Sequence, residues 1–192
     1  SKVIYPPCDK DYWLRLSLDM PKSQTPARFC LLVSRLERYK RVDLAIEAFN
    51  DLSHKLIIVG KGTERDRLKK TAGKNILFLD NLTDSNLAYL YSHAKALIMP
   101  QEEDFGLTAL EACVFGCPVI SYVRGGVSEI VKDGDTGIFF PEQTKESLIS
   151  ALERFHTISY NLKRTVKEKS DDVLSKFDLE SFKKSILKIT KN

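Results

Sequence analysis

Residues 95–122 read KALIMPQEEDFGLTALEACVFGCPVISY, and the order of signals in this stretch decides the fold. An apolar run (95–100) ends at Met99-Pro100, and Gln101 to Asp104 form a polar loop. Leu107, Leu110 and Val114 then recur at helical spacing. Gly116 and Pro118 close the helix, and a second apolar run (118–122) follows. A helix between two short strands is the connection that parallel strands need, whereas antiparallel neighbours are joined by a tight turn.

The same alternation extends upstream. RFCLLVS (28–34), KLIIVG (55–60) and NILFLD (75–80) are strand-like. Helical periodicities separate them: Val42, Ala45, Ile46 and Phe49; Leu68 among polar neighbours; and Leu87 to Tyr91. The runs are almost continuously apolar, as strands are when helices cover both sheet faces. The expectation is an α/β domain with an open parallel Rossmann-like sheet and helices on both faces. After GIFF (137–140) only helices are expected, at 144–155, about 158–169 and about 178–189. Residues 1–27, with Pro6, Pro7, Pro21 and Pro26, read as an interdomain lead-in; 28–155 is the ligand-binding domain and 156–192 a helical tail.

Composition narrows the partners. The 192 residues suit one domain, 43% hydrophobic and 29% charged, with net charge +4. No apolar run approaches the roughly 18 residues of a membrane-spanning helix, and SKVIYPPCDKDY has no signal-peptide core. A cytoplasmic location is expected, with peripheral association at the inner membrane face left open for a larger protein. The lysines of YNLKRTVKEKS and SFKKSILKITKN are not interleaved with aromatics, so no nucleic-acid partner is expected. Cys113 and Cys117 lie far from His54, His93 and His156 in sequence, which favours buried thiols over a metal site. Neither a GxGxxG fingerprint after the first strand nor a Walker A motif is present.

The chemistry gathers where the strands end. With a helix starting near Gly106, the backbone N–H groups of Phe105, Gly106, Leu107 and Thr108 form an anion site for a phosphate or pyrophosphate. Glu103 and Glu111 lie eight positions apart, about 12 Å of helical rise, too far to meet one substrate atom. One in the loop and one inside the helix, they suit the two ends of an extended ligand, and their natural partners are sugar hydroxyls. The plainer alternative has Glu103 complementing the helix N-terminus and Glu111 facing solvent. Residue chemistry alone leaves both open. Arg35 and Lys40 flank the turn after the first strand and reach toward a diphosphate; Arg38 and Arg41 read as surface charge. Thr83 or Asp84 caps the helix after DNL (80–82), and Gly125-Gly126 offers another amide-rich turn at the same sheet edge.

These blocks resemble the C-terminal, donor-binding domain of GT-B glycosyltransferases, specifically retaining family 4 enzymes. The resemblance rests on Glu103-Asp104-Phe105-Gly106-Leu107-Thr108-Ala109-Leu110-Glu111 as an E-x7-E signature, with GCPVI (116–120) and GGVSEIVKDGDTGIFF (125–140) after it. SRLERYKRVDLAIEAF and LIIVGKGTERDRLK stand upstream in the family's order. It implies that Arg35 and Lys40 contact the donor diphosphate, Glu103 orients hydroxyls of the transferred sugar, and Glu111 holds the ribose. Phe105 to Thr108 lend amides to sugar and phosphate; Leu82 supports the base through backbone groups. The family uses two Rossmann-like domains with the active site between them, and this chain corresponds to one.

The expected function is transfer of a hexosyl group, mannose from GDP-mannose, to a glycan or lipid-linked acceptor with retention of configuration. No cofactor is expected beyond the nucleotide-sugar substrate, and the chain alone is expected to be inactive because the acceptor side belongs to the other domain. A nucleotide-sugar 2-epimerase of the same fold, or a non-catalytic nucleotide-binding module, are the alternatives.

Overall fold

A computed structural model describes residues 3–16 and 26–190; Pro21 and the rest of 17–25 lie outside the described residues. Helix α1 (Lys10–Arg15) is followed by β1 (Cys30–Val33), α2 (Val42–Asn50), β2 (Leu56–Val59), α3 (Arg65–Thr71) and β3 (Ile76–Leu79). Then come α4 (Asp84–His93), β4 (Leu97–Met99), α5 (Leu107–Val114), β5 (Val119–Tyr122) and β6 (Gly137–Phe140), and finally α6 (Lys145–Leu174) and α7 (Leu179–Thr190). All six strands are parallel, in the order β3-β2-β1-β4-β5-β6. The order reverses direction between β1 and β4, and an open sheet binds its ligand at that switch point, beyond the carboxyl ends of the strands.

Alternation along each strand divides the core in two. Leu31, Ile57, Val59, Leu97, Met99 and Val119 face α4 and α5. Cys30, Leu32, Leu56, Ile58, Ile98 and Ile120 face the opposite way, toward α2, Leu68 of α3 and the first half of α6. Every residue of β2, β4 and β5 is buried, while edge strand β3 is only partly covered, which is why Leu77 stands exposed. Fully burying one such aliphatic side chain contributes about 1.5–3 kcal/mol, so this two-faced core dominates the stability.

The C-terminal region differs from the sequence expectation. Instead of separate helices at 144–155 and 158–169, α6 runs unbroken for 30 residues, capped by the Thr144 side chain, which accepts from the Ser147 N–H. Leu148, Leu152, Phe155, Leu162, Val166 and Leu174 form its buried stripe. His156 and Thr157 are polar and fall between the two expected segments, yet no glycine or proline breaks the backbone between 145 and 174. The helix packs first against the α2 side and later against α5, joining both halves of the core.

Residues 3–16 of the lead-in are more ordered than Pro6 and Pro7 suggest. Asp9 caps α1, and Trp13 is buried edge-on to both Tyr91 and Phe115. The Cys8 N–H donates to the Phe177 carbonyl at 2.8 Å, tying the lead-in to the turn between α6 and α7. All four cysteines are free and buried, as expected for Cys113 and Cys117. Among the described residues no helix is long and apolar enough to cross a membrane.

Candidate active site

The loop after β1 is shaped by its neighbour after β2. Glu37 accepts from the Thr63 N–H at 3.1 Å and the Thr63 hydroxyl at 2.8 Å, and the Leu36 N–H donates to the Lys61 carbonyl at 2.8 Å. A Cβ on Gly62 would sit 2.3 Å from the Leu36 carbonyl oxygen, so glycine is needed for this close approach. The VGKG turn therefore braces the basic loop. Arg38–Lys40 then make one 3-10 turn, which carries Lys40 back over the sheet edge.

The loop after β4 supplies the acidic partner. Lys40 Nζ lies 2.9 Å from Glu103 Oε2, with both side chains largely buried (15% and 17% exposed). Gln101, almost fully buried, donates from Nε2 to the same Glu103 oxygen at 2.7 Å, while its Oε1 has no partner among the described residues. Two donors thus fix one carboxylate oxygen of Glu103. Its backbone is held as well: the Gly126 N–H donates to the Glu103 carbonyl at 2.7 Å. A Cβ on Gly125 would lie 2.1 Å from that carbonyl oxygen, and on Gly126 2.3 Å from the Asp104 carbonyl oxygen.

Helix α5 opens onto this pair. Its N-cap is Gly106, with φ of 104° and no side chain to cap the first turn, so the leading N–H groups point into the groove. Pro6, Arg35, Lys40, Gln101, Glu103 and Phe105 to Thr108 line a groove of about 280 Å³ at the carboxyl edge of the sheet. The lead-in forms one wall, where Tyr5 stacks on Phe105 at 5.8 Å and hydrogen-bonds Glu129. Tyr39 stands between the cations, 5.8 Å from the Arg35 guanidinium and 5.4 Å from the Lys40 ammonium.

The structure thus brings Arg35, Lys40, Glu103, Phe105, Gly106, Leu107 and Thr108 into one groove. Gly125 and Gly126 lie behind Glu103 and support its backbone. Leu82 packs on the core just before α4, whose cap is Thr83 in a reciprocal box with Asn86. Glu111 sits one turn beyond Leu107 on the same stripe of α5, outside the lining of the groove. There it accepts from the Tyr91 hydroxyl at 2.7 Å. Burial pushes the Glu111 carboxyl up to about 7, with the Tyr91 hydrogen bond opposing the rise and the Asp84 charge adding to it. Glu111 is half-buried and bonded to Tyr91 across the α4–α5 contact, so it does not stand on open surface as the plainer alternative had it.

Gln101, Tyr39, Tyr91 and Tyr5 carry no sequence signal of their own. Each is defined by a contact across the fold. A second cavity, of about 330 Å³, opens at the opposite edge, lined by Arg28, Phe29, His54, Lys55, Lys95 and His156 among others.

The family model described as glycosyl transferases group 1 matches residues 19–172. An alpha-1,3/1,6-mannosyltransferase from Rhizomucor pusillus is 26% identical over 228 residues, covering 94% of this chain and 50% of the relative. A sucrose-phosphate synthase from Thermosynechococcus elongatus superposes with a TM-score of 0.76 at 25% identity, covering 98% of this chain and 49% of that one. Anabaena HepE, solved in complex with UDP, superposes at 0.83 with 20% identity over 99% of this chain and 57% of its own. The chain spans about half the length of the curated relatives it matches. Its structural neighbours are GT-B glycosyltransferases. By sequence and by fold, the chain belongs to the glycosyl transferases group 1 family.

Proposed function

We propose that the chain is the donor-binding half of a retaining, family 4 glycosyltransferase that moves mannose from GDP-mannose to a glycan or lipid-linked acceptor. The observation that carries this reading is the groove itself, where two cations, a twice-anchored carboxylate and an open helix start meet at the sheet's switch point. Lys40 and Arg35 neutralise charge on the departing diphosphate, assisted by the amides of Phe105 to Thr108. Glu103 accepts hydrogen bonds from hydroxyls of the sugar, and Glu111 from the ribose. The bond from the anomeric carbon to the phosphate oxygen breaks, and the acceptor oxygen bonds to that carbon on the same face. The acceptor's proton passes to the leaving phosphate.

The mannosyl assignment takes its support from the Rhizomucor relative, and the UDP complex of HepE keeps uridine donors in the comparison. The second domain supplies the acceptor side, and α7, with Leu179, Ile186, Leu187 and Ile189 exposed, is the surface that meets it. A lipid-linked acceptor places the whole protein peripherally at the inner membrane face. The 192-residue chain binds donor but transfers no sugar alone, since positioning both reactants contributes about 7–11 kcal/mol in favourable cases.

The test is product analysis of the whole protein with GDP-mannose and UDP-glucose in parallel, read by the anomeric coupling of the product. Transfer from GDP-mannose with the donor's configuration kept is expected. An inverted product, an epimerised free sugar, or no turnover of either donor contradicts the reading.

A further inference from the structure

Tyr91 is the largest fully buried side chain among the described residues, and its hydroxyl donates to Glu111 Oε2 at 2.7 Å. The ring is held on two sides. It stacks on Phe115 with an interplanar angle of 7° and a centroid distance of 6.2 Å, and Trp13 of the lead-in meets it edge-on at 6.1 Å. A tyrosine so enclosed has one orientation, and its hydroxyl direction is fixed with it. With Oε2 engaged, Oε1 remains to accept from a ligand.

Resting on the ribose role of Glu111, we propose that Tyr91 is its positioning residue: the buried hydroxyl locks one carboxylate oxygen, aims the other at the vicinal ribose hydroxyls, and so sets preference for ribo- over deoxyribonucleotide donors. A buried carboxylate that must accept from two adjacent hydroxyls needs a fixed plane, and a site built around such bonds rejects a ligand that lacks them. The lead-in participates indirectly, because Trp13 closes the wall that holds the Tyr91 ring.

The same hydrogen bond governs when the carboxylate is available. Burial lifts Glu111 to about 7 and Tyr91 pulls against that rise, so losing the hydroxyl lifts the carboxyl further. Glu111 is faced by Tyr91 and Asp84 from α4 and by Cys8 from the lead-in, with Cys113 and Cys117 nearby. Burial pushes those three thiols up to about 12 and holds Tyr91 well above its ordinary value, so all four stay protonated between pH 5.5 and about 8.5. Glu111, raised to about 7, is the group here whose charge changes within that range.

The test uses the 192-residue chain, titrated with UDP and GDP and with the 2′,3′-dideoxy counterpart of each, from about pH 5.5 to 8.5. The ratio of dideoxy to ribo dissociation constants cancels titration of the phosphates. The parent should show a ratio above about tenfold at pH 8 that collapses below pH 7. Glu111→Gln should hold a low, pH-independent ratio. Tyr91→Phe should lower the ratio about three- to tenfold at pH 7 and move its midpoint upward by about half a unit or more. Tyr91→3-fluorotyrosine, nearly isosteric and with a more acidic hydroxyl, should move the midpoint downward, which a purely packing role for the ring does not do. A parent-like ratio and midpoint in both Tyr91 variants, with Glu111→Gln still impaired, overturns the proposal alone. A parent ratio near one, unchanged in Glu111→Gln, overturns the ribose reading and the proposal together.

Discussion

Lys40 Nζ lies 2.9 Å from Glu103 Oε2, an ion pair joining the loop after β1 to the loop after β4. The proposed reading gives the two residues different parts of the donor, and the structure makes each the other's counterion. Under the proposed donor reading, a diphosphate would compete with Glu103 for Lys40, and a sugar engaging Glu103 would release Lys40 to the phosphate. Coupling of this kind lets sugar and diphosphate bind better together than apart.

Glu103→Gln should consequently tighten free nucleoside diphosphate by about two- to fivefold, because the competing carboxylate loses its charge. The same variant should lose the advantage of a nucleotide sugar over its nucleoside diphosphate. Isothermal titration of the chain with GDP and GDP-mannose, and with UDP and UDP-glucose, measures both. A uniform fall in affinity for all four ligands contradicts the competition.

Lys40→Ala should weaken nucleoside diphosphate far more than nucleoside, by about 1.5–3 kcal/mol where the charged bond is shielded from water. Arg35→Ala should cost only about two- to fivefold, because that side chain is exposed and water screens it. Guanosine and uridine provide the comparison. Equal losses for nucleoside and diphosphate contradict a phosphate role.

Glu111 should reveal itself in stability against pH. Its carboxyl is near 4.5 in the unfolded chain and about 7 when folded, so the folded state holds the extra proton between those values. Stability is therefore full below about pH 4.5 and falls as pH rises toward 7. Glu111→Gln keeps an acceptor for Tyr91 and removes this loss. Its melting temperature should exceed the parent's at pH 8, by an amount corresponding to about 1–3 kcal/mol, and converge with it near pH 4.5. A variant less stable than the parent at pH 8 contradicts the buried carboxylate.

Gly125→Ala should damage the site through the backbone. The new Cβ meets the Glu103 carbonyl at 2.1 Å and the residue's φ is 94°, so the strand-end contact must open. A loss of about 1–3 kcal/mol of stability is expected, with weaker nucleotide-sugar binding than that of the parent at temperatures where both are folded. Unchanged melting and unchanged binding contradict the supporting role of this turn.

Much of the fold was legible because strands buried on both faces read as short apolar runs bounded by turn residues, as at Leu56–Val59 before Gly60 and Val119–Tyr122 after Pro118. The expected gap at 156–157 falls on His156-Thr157, polar positions within the continuous helix α6, because helix continuity depends on the backbone and not on an unbroken apolar stripe. At the site, Glu103 and Glu111 announce themselves through spacing around a glycine helix start. Their partners do not. Gln101 matters because it is buried beside Glu103, and Tyr91 because α4 sets its hydroxyl against α5. Such contacts arise from packing between elements, which local pattern and propensity do not encode. Helix α1 escaped notice for a similar reason, its single buried anchor being Trp13 among charged neighbours.

The central claim is that the groove between the loops after β1 and β4 and the start of α5 receives the donor's nucleotide diphosphate. Amide NMR of the 15N-labelled chain titrated with GDP and UDP locates the ligand directly. The shifts should concentrate at Ser34, Arg35, Lys40 and Phe105 to Thr108, saturate together, and weaken in Lys40→Ala. Shifts that gather instead around Arg28, His54, Lys95 and His156 at the opposite edge, with the groove unmoved, contradict the account.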